Sequence, residues 1–136
     1  KEIDNKLTQK FDEYPSFGVL KGVKVFVTGT NIAGPFAGCL MAEMGAKVLQ
    51  ADQNHRNEYS ITINSASPAG KKIFLKCIEW ADIWIEAGRP GSYAKRGLTD
   101  EVCWKHNKKL AIVHVSGYGQ FGPSKNKPSY DVSGQA

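Results

Sequence analysis

The sequence predicts an α/β fold in which helices cover both faces of a parallel sheet, and three observations carry that expectation. Short apolar runs rich in β-branched residues alternate along the 136 residues with segments of helical period. The first strand, helix and strand, Val23 to Ala51, fit within about thirty residues, and so compact a βαβ unit forces parallel pairing and a right-handed crossover. The alternation then continues to Val115, which gives the three layers of a doubly covered sheet.

Each element has its own signal. Val23 to Val27, with Lys24 as its one charge, reads as a buried strand. Pro35 suits a first helical turn, and Phe36, Ala37, Leu40, Met41 and Met44 recur at helical spacing until Gly45 supplies a stop. Lys47 to Ala51 is a second strand, Asp52 to Glu58 a polar loop, and Tyr59 to Ile63 a half-exposed strand. Ser67 caps a helix that opens on Pro68, with Ile73, Phe74, Cys77 and Ile78 as its apolar stripe. Ile83 to Ile85 is the next strand, followed by the loop Gly88-Arg89-Pro90-Gly91 and a short helix through Tyr93 and Arg96. Thr99 caps Asp100 to His106, whose early acidic residues favour the helix dipole. Leu110 to Val115 is the last strand, and the composition then turns to Gly, Pro, Ser and Lys.

Composition narrows the class. The chain has the length of one domain, and no window approaches the ~20 apolar residues of a membrane span. The charged N-terminus lacks a secretory signal, so the expectation is a cytoplasmic protein with no membrane partner. Cys39, Cys77 and Cys103 have neither zinc nor redox spacing and read as reduced thiols packed as small apolar groups; no metal site is expected. A net charge of +5 suits an anionic ligand, yet Lys71-Lys72, Lys105 and Lys108-Lys109 fall on or beside helices where lysines usually face water. The missing initiator Met and the absence of a helix stop at Gly134-Gln135-Ala136 suggest a piece of something longer.

Ligands of such sheets gather at the carboxyl ends of the strands. Four loops converge there: Gly29 to Gly34, Asp52 to Asn57, Ala87 to Gly91 and Ser116 to Gly122. A dinucleotide turn needs Gly-x-Gly-x-x-Gly, whereas Gly29, Gly34 and Gly38 are spaced too widely and Pro35 removes an amide donor; Asp52 keeps the NAD reading as a minority alternative. Arg89 and Arg96 offer rigid donor forks suited to phosphate, or equally to a helix end or surface carboxylate. His114 reads as a core residue bonded to backbone, His106 as a partner of its helix dipole, and only His55 sits in a candidate ligand loop. The run SGYGQFGP lets backbone approach a ligand, with Tyr118 and Phe121 as apolar faces, or is simply irregular.

From Leu20 to Ala136 the motifs LKGVKVFV, IAGPFAG, MAEMGAKV, ADIWIEAGRPGSYAKRGLTDEV, HVSGYGQFGP and PSYDVSGQA stand in an order that resembles the N-terminal part of family III CoA-transferases. IAGPFAG with GLTDEVCWKHNKKLAIVHVSGYGQFG is most similar to the branch that moves CoA between crotonobetaine or γ-butyrobetaine and carnitine. The resemblance implies a Rossmann-like CoA-binding domain over residues 20–123, an N-terminal extension over 1–19, and a linker with the start of a helix over 124–136. It further implies an interlocked homodimer, acyl-CoA and a carboxylic acid acceptor as substrates, no prosthetic group and no nucleic acid. CoA contacts carry over to Arg89, Arg96, Ile32 and Ala33. Gln53 and Ala66 stand where relatives have basic residues, so the resemblance carries no CoA contact over to either.

The family's nucleophile is an aspartate that forms a mixed anhydride with the acyl group, and it is expected after Ala136, so no catalytic residue is assigned within these residues. Asp131 belongs to a different motif and is not nominated. The α-methylacyl-CoA racemases resemble the same region but carry a His base before the equivalent aspartate; here that position is Tyr130, a poor base near neutral pH. CoA transfer is therefore expected, with an inactive CoA-binding module or a racemase as alternatives. The link from Gln53 to Asn57 is also shorter than in relatives.

Overall fold

The computed structural model describes residues 17–29, 32–51 and 58–135. Five strands, β1 (Lys24–Gly29), β2 (Lys47–Ala51), β3 (Tyr59–Ile61), β4 (Ile83–Ala87) and β5 (Ala111–His114), form one sheet in the order β3-β2-β1-β4-β5. Every neighbouring pair is parallel. The order reverses direction between β1 and β4, and such a switch point opens a crevice at the carboxyl ends of the strands.

Alternation along the strands sorts the core into two layers, because successive side chains point to opposite faces. Val25, Val27, Val48 and Ile85 lie on one face with Ala42 of α1 (Ala33–Glu43). Phe26, Leu49 and Trp84 lie on the other, with Phe74 and Ile78 of α2 (Pro68–Trp80) and Cys103 of α3 (Asp100–His106). The second layer is built around aromatic rings: Phe74 meets Phe26 at 5.3 Å and Trp84 at 5.4 Å between centroids, both edge to face. A short α4 (Asp131–Gln135) closes the described chain.

The caps are those the sequence specifies. Ser67 Oγ accepts from the Gly70 amide at 3.0 Å with Pro68 opening α2, and Thr99 Oγ1 accepts from the Val102 amide at 3.3 Å at the start of α3. Gly45 takes φ +96° after α1, the left-handed conformation that costs glycine least. The short helix through Tyr93 is a 3₁₀ turn, Ala94–Arg96, with Tyr93 at its N-cap. Cys39, Cys77 and Cys103 are buried and none is in a disulfide; burial pushes the Cys77 thiol up to about 11 and that of Cys103 to about 12. Thiols so placed stay protonated at neutral pH and do not act as nucleophiles.

Some boundaries and one face differ from expectation. β1 and β4 run two residues further toward the carboxyl edge than the apolar runs suggest, to Gly29 and Ala87, because buried Thr28 and Glu86 continue the ladder as polar residues. β3 ends at Ile61 rather than Ile63, and β5 occupies Ala111–His114 within the longer expected run. On α1 the large residues do not form the inner stripe: Phe36, Leu40 and Met44 are exposed, and Gly34, Pro35, Gly38, Cys39 and Ala42 are buried instead. A Cβ on Gly38 would stand 2.9 Å from Val27 Cγ2 and 3.3 Å from Val48 Cγ1, so the helix lies too close to the sheet for large side chains. Ile73 likewise leaves the expected stripe of α2 and is 44% exposed.

Candidate functional site

The crevice between β1 and β4 is shaped by two of the widely spaced glycines. Gly29 ends β1 with φ +112°, and a Cβ there would stand 2.5 Å from the Ala87 carbonyl oxygen. A Cβ on Gly34 would stand 2.5 Å from Ala87 Cβ. These glycines therefore bring the end of β1 and the first turn of α1 against the end of β4. That is a packing role, and it explains a spacing unsuited to pyrophosphate. Ile32 is at the N-cap of α1 and 72% exposed; its carbonyl accepts from the Phe36 amide at 2.8 Å, and Ala33 follows as the first helical residue, also exposed. Residues 30, 31 and 52–57, which include Gln53 and His55, fall outside the described residues.

Arg89 and Arg96 lie on the segment that leaves β4 at this same edge. The Arg89 carbonyl accepts from the Ser92 amide at 3.0 Å and from Ser92 Oγ at 2.6 Å, which folds Arg89-Pro90-Gly91-Ser92 into a tight turn and leaves the Arg89 side chain exposed. Arg96 is better anchored. Its Nη1 donates to Ser65 Oγ at 2.7 Å, and its guanidinium stands over the Tyr93 ring, 5.4 Å from the centroid. Ser65 belongs to the loop that follows β3, so Arg96 reaches along the carboxyl rim rather than away from it. Among the described residues no carboxylate pairs with either arginine. Each guanidinium keeps donors for an outside acceptor.

A second polar group sits beside the crevice. Glu86 is 3% exposed; its Oε1 accepts from the Gly88 amide at 3.0 Å and its Oε2 lies 2.8 Å from His114 Nδ1. The other ring nitrogen, His114 Nε2, lies 3.0 Å from Asp100 Oδ2. His114 is thus bonded to two carboxylates, which corrects the expectation of backbone partners. Burial opposes the imidazolium most strongly, but the hydrogen bonds and charges of Glu86 and Asp100 together outweigh it and raise the His114 pKa. A cavity of about 330 Å³ adjoins the group, lined by Trp84, Glu86 and His114 of the strands and by Tyr93, Ala94 and Leu98 of the segment after β4; Arg89, Arg96, Ile32 and Ala33 do not line it.

The sequence carried one signal for this group. Glu86 interrupts an apolar strand, and a buried carboxylate needs a partner. The partners themselves are distant in sequence and invisible to spacing. Gln50 was also missed: it is fully buried near the end of β2, with Nε2 donating to the Ala51 carbonyl at 3.0 Å and Oε1 without a partner among the described residues.

Other candidates stand apart. His106 in the last turn of α3 meets Glu79 at 2.7 Å on the surface. Phe121 is 86% exposed and Tyr118 46%, on turns beyond β5. Among the described residues no group of His, Cys, Asp and Glu could hold a metal ion; the two nitrogens of His114 face opposite ways and cannot converge on one. No described helix is long and apolar enough to cross a membrane.

Comparison with known proteins adds a family to this geometry. The model of CoA-transferase family III matches residues 20–53 and 49–136, two stretches that overlap at 49–53. A bile acid CoA-transferase, BaiK, of Clostridium scindens is 45% identical over 92% of this chain and 32% of its own length. An L-carnitine CoA-transferase of a Proteus species is 41% identical over 90% of the chain and 34% of its own length. Among solved structures, Rv3272 of Mycobacterium tuberculosis matches with TM-score 0.79 and 28% identity over 84% of the chain and 37% of its own. A CAIB/BAIF family protein of Brucella suis shares the fold at TM-score 0.80 over 88% of the chain and 39% of its own. The chain spans about a third of the length of the curated relatives it matches.

Proposed function

The chain belongs to CoA-transferase family III, and from that premise we propose that the whole protein moves coenzyme A between carboxylic acids, with this region as its CoA-binding part. The observation that carries the reading is the placement of Arg89 and Arg96 on one segment at the carboxyl rim of the switch point, without a carboxylate partner among the described residues. Phosphate groups of CoA suit these forks, because charge-assisted pairs with Arg are bidentate and directional. Ile32 and Ala33 present backbone at the opening of α1 on the other side of the crevice, pressed toward it by the Gly34–Ala87 contact.

The chemistry requires a carboxylate nucleophile supplied from outside this region. It attacks the acyl-CoA carbonyl, the thiolate leaves, and a mixed anhydride forms; thiolate attack on the enzyme acyl carbon then gives an enzyme thioester and frees the donor acid. The acceptor carboxylate attacks that thioester, the thiolate leaves once more and attacks the new anhydride, and the acceptor departs as its CoA thioester with the enzyme carboxylate restored. CoA must remain bound throughout, which is the task these arginines would serve. Carnitine-type betaines are the substrates that the Proteus relative's name suggests, and bile acids those of the Clostridium relative. A homodimer and a cytoplasmic setting belong to the same proposal.

A racemase is the second reading, and Tyr130 argues against it. Its ring is 70% exposed and holds the place of that family's His base. The two readings separate in one assay of the full-length protein, given an acyl-CoA and a free carboxylic acid. The acceptor is expected to emerge as a new CoA thioester. Proton exchange at the carbon beside the thioester, with no new thioester, would instead make it a racemase.

A further inference from the structure

We infer that His114 is a positioning residue for the arginine-bearing segment: its imidazole, bonded at once to Glu86 and Asp100, fixes both ends of residues 87–99 and so sets the affinity for CoA. This rests on the proposed CoA site and deepens it. The geometry is specific. Glu86 immediately precedes the segment and Asp100 immediately follows it, and the two nitrogens of one ring reach both, at 2.8 Å and 3.0 Å. Glu86 also accepts from the Gly88 amide, so the same carboxylate orients the residue before Arg89.

The middle of the segment is held by apolar contact. Tyr93 packs on Trp84 at 5.5 Å and Leu98 is 2% exposed. The ends have the polar bridge. Between them lies the cavity of about 330 Å³, so packing does not replace the bridge if it breaks. Arg96 follows Tyr93 by three residues and stacks on it, and Arg89 sits three residues after Glu86.

Only an imidazolium donates from both nitrogens; the neutral ring must turn a lone pair toward one carboxylate. The titratable groups bonded to the ring are Glu86 from β4 and Asp100 from α3; Glu101 and Tyr93 line the same cavity, and the Cys103 thiol feels the Asp100 charge. The sign follows from the raised pKa: the bridge stabilises the fold fully below the unfolded imidazole's pKa and is lost as pH rises through the higher folded one. A segment fixed for a smaller share of the time binds its ligand more weakly by that share.

The test compares CoA affinity of the full-length wild type and His114→Gln by calorimetry from about pH 5.5 to about pH 8.5. CoA's own phosphate gains charge near pH ~6 and strengthens binding with pH in both proteins, so the ratio of the two affinities isolates the imidazole. The wild type is expected to bind about ten-fold tighter at the acid end and to converge on the variant at the alkaline end. A ratio that stays constant with pH overturns the inference while leaving the CoA site intact. Asp100→Asn provides a second variant that keeps the ring and its Glu86 contact, and its pH profile is expected to flatten likewise. The amide resonance of Gly88, followed without ligand, is expected to titrate with the His114 ring; an amide indifferent to that titration overturns the inference even if CoA does not bind, which would separately defeat the proposed function.

Discussion

Trp84→Ala is expected to lower stability by about 3–5 kcal/mol, the range for removing a buried large aromatic side chain. Trp84 is fully buried in β4, with its ring edge-on to Phe74 at 5.4 Å and to Tyr93 at 5.5 Å. Its Nε1 donates to Thr28 Oγ1 at 2.9 Å, and Thr28 is itself 1% exposed. Truncation removes those contacts, takes away the hydroxyl's donor, and enlarges a cavity that Trp84 already lines. Tyr93, on which Arg96 stacks, loses its contact with Trp84 at the same time and keeps that with Phe74 at 5.3 Å. Urea unfolding followed by far-UV circular dichroism measures the loss. Trp84→Phe, which keeps a ring but drops the indole N–H, is expected to lose much less. A Trp84→Ala protein within about 1 kcal/mol of wild type would contradict the assignment of the aromatic layer as the core.

Replacing Arg89 and Arg96 together by alanine is expected to weaken CoA binding by about 10²- to 10⁴-fold, from two charged hydrogen-bonding groups at roughly 1.5–3 kcal/mol each. Stability should change little by comparison. Both side chains are exposed, and the main internal bond lost is that from Arg96 to Ser65. Arg96→Lys is expected to recover only part of the affinity, since an ammonium cannot reproduce the fork or the stacking on Tyr93. Titration of CoA into each protein by calorimetry reads the result. Affinity unchanged in the double variant would remove both residues from the site.

The path from sequence to structure was clear where physical rules act locally. Ser67 before Pro68 and Thr99 before Asp100 announced their helices, because a hydroxyl cap and a proline at the first turn depend only on neighbours in sequence. The alternation of strands and helices likewise fixed a parallel three-layer sheet. The inner face of α1 was not legible. Its Phe36, Leu40 and Met44 follow a helical period, but contact with the sheet is made through Gly34, Gly38 and Ala42, and periodicity cannot tell which side of a helix lies close enough to need small residues.

The site shows the same division. Arg89 could be placed at the carboxyl rim because a loop after a parallel strand must emerge there. That Arg96 would hold Ser65, 31 residues away, depended on packing that no short motif encodes. His114 was misjudged for the same reason. A histidine in an apolar strand suggests burial, while its two carboxylates come from β4 and α3, 28 and 14 residues back.

The most direct measurement is a structure of the protein crystallised with coenzyme A. Phosphate oxygens of the ligand are expected within about 2.7–2.9 Å of guanidinium nitrogens of Arg89 and Arg96, with the pantetheine chain running past Ile32 and Ala33 across the crevice between β1 and β4. Coenzyme A seated elsewhere, with both arginines left in solvent, would contradict the account.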